Sequence, residues 1–128
     1  MRLLLDTHLL LWAISQSRRL SLFARELIGD PDNELVFSTA SIWEVAIRYG
    51  RRREDFEVDP RVLRRALLDN LYQELTVMGE HAVAVAGLPP LHRDPFDRIL
   101  VAQSIVEGII LLTDDPLVAQ YSAPVRRV

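Results

Sequence analysis

Apolar residues along this chain fall in short runs separated by polar punctuation. "RLLL" (2–5) stops at Asp6, "LVF" (35–37) at Ser38, "ELTVM" (74–78) at Gly79 and "IILLT" (109–113) at Asp114. Short apolar runs bounded by turn formers predict buried strands. Between them lie stretches with helical spacing. These are 7–14, a helix capped by Ser21 and running to about Ile28, "SIWEVAIRYG" (41–50), and a helix from Pro60 to about Leu71. A short helix in 79–88 is stopped by Pro89 and Pro90, and the stretch "HRDPFDRILVAQ" (92–103) opens one that runs to about Glu107 with Gly108 as its stop. Residues 29–34 and the polar segment from Gly50 to Asp59 are connections, "DDPLVAQY" (114–121) reads as a short helix, and "PVRRV" (124–128) as a fifth, edge strand.

Strands alternating with helices predict βα units and a parallel sheet, and uninterrupted apolar strands predict burial on both faces. The expected fold is α/β: a three-layer α/β/α sandwich around a mainly parallel sheet of four to five strands.

The 128 residues suit one domain, and 49% apolar with 26% charged residues is the profile of a soluble globular protein. There is no cysteine, which excludes a disulfide framework and a thiolate metal site and fits a cytoplasmic protein. No apolar run reaches the roughly 18 residues of a membrane span. The amino-terminal "MRLLLDTHLLLWAIS" is broken by Asp6 and reads as folded structure rather than a signal peptide.

A net charge of −3 provides no global attraction to nucleic acid, but the positive charge is uneven. Arg48, Arg51, Arg52 and Arg53 crowd one segment, and Arg61, Arg64 and Arg65 follow on one helix. All 15 basic residues are arginine. The absence of lysine counts against a phosphoacceptor receiver domain, which otherwise shares the length, the doubly wound sheet and the clustered aspartates. It counts equally against HAD-type phosphatases and P-loop enzymes. There is no G-x-S-x-G elbow or glycine-rich phosphate loop, and His8, His81 and His92 lack the spacing of a zinc hydrolase. His81 reads as a surface or packing residue, and His92, beside the acidic loop, as a candidate for substrate contact.

Ligands in open parallel sheets bind at the carboxyl ends of the strands. Asp6 ends the first strand, Asp114 and Asp115 follow the fourth, and Glu44 lies early in the helix after the second. Asp97 opens the helix feeding the fourth strand, which by simple βαβ reasoning places it nearer the opposite edge. Each acid also has a local explanation. Asp6 can cap a helix, Asp94 with Pro95 makes a good cap, Asp97 sits where a capping-box partner would, and Ser41 with Glu44 fits S-x-x-E. Glu44 can also pair with Arg48 one turn on. Against these, Glu44 stands within apolar "IWEVAI", and several carboxylates on one edge repel one another unless neutralised. A hard divalent ion, Mg²⁺ or Mn²⁺, would do that.

The blocks "LLLDTHLLLW", "STASIWEVAIR", "HRDPFDRILVAQ" and "LLTDD" resemble, in order and spacing, those of PIN-domain proteins, and look most like VapC-type toxins of bacterial toxin–antitoxin pairs. The resemblance covers nearly all of residues 1–128 as a single PIN domain. It implies a ribonuclease that uses one or two Mg²⁺ (or Mn²⁺) ions to activate water for attack on RNA phosphodiesters, leaving 3′-hydroxyl and 5′-phosphate ends. It carries the family's acidic quartet to Asp6, Glu44, Asp97 and Asp115, with Asp114 as an alternative or additional last ligand, and its small hydroxyl residues to Thr7 and Thr113. The family sheet order brings Asp97 to the acidic edge. The resemblance further implies an antitoxin partner lying over the amino-terminal helices and a homodimer or larger toxin–antitoxin assembly. The seven arginines named above would then line an RNA phosphate track. The competing readings are the receiver-like domain and a PIN fold that binds RNA or a partner without catalysis.

Overall fold

The computed structural model describes residues 1–51 and 58–128, so Arg52 and Arg53 lie outside the described residues. Among these residues five strands, β1 (Arg2–Leu5), β2 (Glu34–Ser38), β3 (Gln73–Leu75), β4 (Ile110–Thr113) and β5 (Val125–Arg127), form one sheet in the order β3-β2-β1-β4-β5 with every neighbouring pair parallel. Among the described residues six α-helices connect them: α1 (Thr7–Ser15), α2 (Leu22–Gly29), α3 (Thr39–Gly50), α4 (Pro60–Asp69), α5 (Gly79–Ala84) and α6 (Pro95–Glu107).

The strand residues alternate between two cores, as the pleat requires. Leu3, Leu5, Phe37 and Leu112 pack with Leu9 and Leu10 of α1, Ala24 of α2 and Leu63 and Leu67 of α4. Leu4, Val36 and Leu111 point the other way, onto Leu100 and Val101 of α6 and onto Val118 and Tyr121. All three leucines of β1 are fully buried, each contributing roughly 2 kcal/mol of transfer free energy. This is the expected three-layer sandwich. Among the described residues no helix is long and apolar enough to cross a membrane.

Several boundaries differ from the sequence expectation. α3 starts at Thr39, because Ser38 rather than Ser41 is the cap and its Oγ accepts the Ala40 N–H at 3.0 Å. Ser41 and Glu44 are therefore not a capping box. β3 is only Gln73–Leu75, since β2 offers partners just as far as Ser38. Residues 114–121 tighten to a single 3₁₀ turn at Val118–Gln120, which leads into β5.

α6 corrects the placement of Asp97. A crossover helix runs antiparallel to its strands, so its first turn lies at their carboxyl ends and its last turn, here Glu107 before β4, at their amino ends. The reasoning that put Asp97 at the opposite edge is overturned: Asp97 lies close enough to Glu44 of α3 for the two charges to repel. The neighbouring Phe96 ring meets Trp43 edge-on with centroids 5.3 Å apart.

Candidate functional site at the carboxyl edge

The strand order reverses at β1, which β2 flanks on one side and β4 on the other. The carboxyl ends of β1 and β4 thus border the switch-point crevice where ligands bind in open α/β sheets. Asp6 sits there because Leu5 pairs with Leu112 and the Asp6 N–H donates to the Leu112 carbonyl at 3.1 Å. Its Oδ1 accepts the Leu9 N–H at 2.9 Å, capping α1, and its Oδ2 accepts the Thr113 hydroxyl at 2.6 Å. The side chain both caps and faces the crevice. Only 4% exposed, its carboxyl is pushed up to about 6 by burial, with Thr113 and the Leu9 N–H opposing and the charge of Asp114 adding to the rise.

Thr7 joins α1 to α3, its hydroxyl lying 2.7 Å from Glu44 Oε1 and 2.9 Å from Ser41 Oγ. Glu44 is buried, and its Oε2 receives Arg48 Nη2 at 2.9 Å, the expected one-turn pair. Asp94 caps α6, its Oδ1 accepting the N–H groups of Phe96 (2.9 Å) and Asp97 (3.2 Å). The cap does not need the Asp97 carboxylate. That group is also raised to about 6, by burial first, then by the charges of Asp94 and Glu44, against the lowering contact with His92.

At the end of β4, Asp115 opens the turn that follows the strand. Its N–H donates to Thr113 Oγ1 at 3.1 Å, and its Oδ1 accepts the Leu117 N–H at 2.8 Å. The charge acting on Asp6 is that of Asp114. Motif register favours Asp115 as the fourth acid, and the charge felt by Asp6 keeps Asp114 beside it as the alternative.

Several of the arginines take part in ion pairs, most of them at the exposed surface. Arg48 is held by Glu44, Arg64 lies on Glu74 through Nε (2.6 Å) and Nη2 (3.1 Å), and Arg61 and Arg65 lie 3.8 and 3.6 Å from Asp59 and Asp69. Arg51 and Arg93, by contrast, border the same cleft as Glu44 and Asp94. Sequence reasoning gave no role to Arg93, Trp43, Arg98 or Tyr121. Trp43 is 64% exposed and opens, with Phe96, an apolar groove beside the acids.

Glu80, His81 and Glu107 are, among the described residues, the one set of three potential ligand side chains lying within 4.8 Å of one another. Hydrogen bonding argues against a metal there. The Met78 N–H donates to His81 Nδ1 at 2.9 Å, so the ring proton sits on Nε2, 3.0 Å from Glu107 Oε2, and no ring lone pair remains. His81, fully buried, clamps α5 to α6 at the end of α6 remote from Asp97.

These features define a class. The PIN domain family model matches residues 3–123, and the chain belongs to that family, whose members are generally nucleases. The receiver-like reading is thereby set aside. The chain is similar in fold to the crystal structure of VapBC2 from Rickettsia felis bound to a DNA fragment from their promoter, with TM-score 0.72, 13% identity and 99% of this chain and 98% of that chain covered. It is also similar to DNA-bound VapBC from Salmonella typhimurium (0.67, 11%, 99% and 98%) and to VapBC-5 from Mycobacterium tuberculosis (0.61, 18%, 99% and 97%). No curated sequence matches the chain.

Proposed function

We propose that this PIN domain is a metal-dependent endoribonuclease acting as the toxin of a toxin–antitoxin pair. The observation that carries the reading is the placement of Asp6 beside Asp114 and of Asp97 beside Glu44 at the carboxyl ends of the strands, the Asp6 and Asp97 carboxyls being pushed up to about 6 by burial first and then by the charges of Asp114 and of Asp94 and Glu44 respectively. An acidic cluster built against its own repulsion fits a divalent cation, and an all-oxygen donor set fits Mg²⁺ or Mn²⁺. Asp6, Glu44 and Asp97 would hold it, together with Asp115, Asp114 or both. When bound, such an ion supplies positive charge to the scissile phosphate and a water acidic enough to attack it.

The chain's own residues prepare the site. Thr113 and the Leu9 N–H each hold one oxygen of Asp6, and Thr7 holds Glu44, so the carboxylates are oriented before substrate arrives. The groove between α1 and α2, lined by Ala13, Ile14, Leu20 and Ile28, supports the antitoxin part of the reading. So do the exposed Leu22 and Phe23, and the relatives of like fold solved as VapBC complexes. The reading includes a toxin dimer or a larger toxin–antitoxin assembly, in the cytoplasm.

RNA cleavage by the purified chain should require Mg²⁺ or Mn²⁺, stop with EDTA, and fall at least about 100-fold in Asp6→Asn and Asp97→Asn. Asp94→Asn should keep most of the activity, because asparagine also caps helices. Cleavage that survives chelation or both pocket substitutions overturns the reading.

A further inference from the structure

A chain of hydrogen bonds leads from α6 through the second core and back to Asp97. Arg98 Nη1 donates to the Tyr121 hydroxyl at 2.9 Å, that hydroxyl lies 2.7 Å from His92 Nδ1, and His92 Nε2 lies 3.3 Å from Asp97 Oδ2. The direction of each bond can be worked out. A guanidinium has no acceptor, so the tyrosine oxygen receives the Arg98 proton and must send its own elsewhere. Tyr121 is 4% exposed, and an unmade bond from a buried hydroxyl costs about 1–3 kcal/mol. Among the described residues the acceptor within reach is His92 Nδ1. The proton of the neutral ring is then on Nε2, facing the carboxylate. The other tautomer would strand the tyrosine proton and set a nitrogen lone pair against Asp97.

We propose that His92 is a positioning residue for Asp97: its Nε2–H holds Oδ2, and Tyr121 with Arg98 locks the ring in the one neutral tautomer able to do so. The inference rests on the reading of Asp97 as a metal-holding acid. The lock is built from fixed parts. Tyr121 packs among Leu100, Val101 and Val118, its ring meets the His92 ring edge-on with centroids 5.4 Å apart, and Arg98 Nη1 also donates to the Pro89 carbonyl at 2.9 Å. With its lone pair turned to Tyr121, His92 acts on Asp97 as a donor and not as a metal ligand itself. One carboxylate oxygen is thereby tied to the protein while the other is left for a ligand. This gives the histidine, the second aspartate and the second arginine of "HRDPFDR" a joint task.

Two-bond ¹H–¹⁵N spectra of the full chain with the ring neutral read the tautomer without metal or substrate. The wild-type ring is expected as Nε2–H, and Tyr121→Phe should convert it to a mixture. Mn²⁺ titration followed by electron paramagnetic resonance supplies the second readout. His92→Gln, whose amide reaches the Nε2 position, should bind near wild-type affinity, while His92→Asn, which reaches only Nδ1, should bind about tenfold more weakly. An Nδ1–H or mixed wild-type ring overturns the lock, and equal affinities for the two variants overturn the positioning role. A locked ring in a chain that binds no Mn²⁺ sinks the metal-nuclease reading and, with it, the purpose of the lock. The two failures are therefore told apart.

Discussion

Both oxygens of Asp6 are already engaged, one by the Leu9 N–H and one by Thr113, yet burial still holds its pKa near 6. The sign of the consequence follows from linkage. An unfolded chain releases this proton near pH 4 and the folded chain near 6, so between them the native state binds more protons and stability falls as pH rises. The loss is complete above the folded pKa, and two units correspond to at most about 3 kcal/mol. Asp6→Asn should therefore melt higher than wild type at pH 7.5 without divalent ion, the difference closing towards pH 4. Added Mg²⁺ should raise the melting temperature of the wild type alone. Thermal melts at the two pH values check this, and a wild type no less stable than Asp6→Asn at pH 7.5 would refute the charge penalty. Asp6, Asp97 and Asp114 were legible in the sequence because each ends a strand or opens a helix, and Glu44 because it stands within an apolar stretch. The choice between Asp114 and Asp115 was not, because neighbouring aspartates after a strand differ only in how the following turn directs them.

At the level of elements, α6 shows most clearly what local sequence can and cannot specify. Asp94 and Pro95 start it, and Gly108, at φ +66, ends it in the left-handed region that glycine adopts freely. Caps are local chemistry, and both ends are found where the sequence predicts them. The faces of the helix depend on its neighbours. His81, in an alanine-valine stretch, is fully buried as the clamp to Glu107, and Gln103 is buried with neither amide atom bonded among the described residues. An unbonded buried amide costs more than the apolar group of similar length that could replace it. Gln103→Met should accordingly stabilise the chain by about 1 kcal/mol, raising its melting temperature by about 3–4 °C. A decrease would show that the amide has a partner in solution.

Across the whole molecule, the arginines divide by what they face. Arg64, joined to Glu74 through two nitrogens, serves the contact between α4 and β3, whereas Arg51 and Arg93 border the acidic cleft. A phosphate contact releases counterions and an internal ion pair does not. Over a salt series, Arg51→Ala and Arg93→Ala should each reduce the slope of log K for RNA binding by about 1, and Arg64→Ala should leave it unchanged. Equal slopes for all three would remove the cleft from the RNA path.

The sequence by itself determined the layers, the parallel strands, and the caps of α2 and α6, and it offered Asp6 and Glu44 as candidates for one sheet edge, with Asp97 joined to them only by the family resemblance. Strand burial, capping and motif spacing are all written in neighbouring residues. Only the tertiary structure decided how the acids share one edge, because that depends on the order β3-β2-β1-β4-β5 and on the direction of α6. It also decided that Tyr121, 24 positions beyond Asp97, reaches it through His92. No local pattern encodes that link; it exists because β4 and the turn after it fold back onto the face that carries α6.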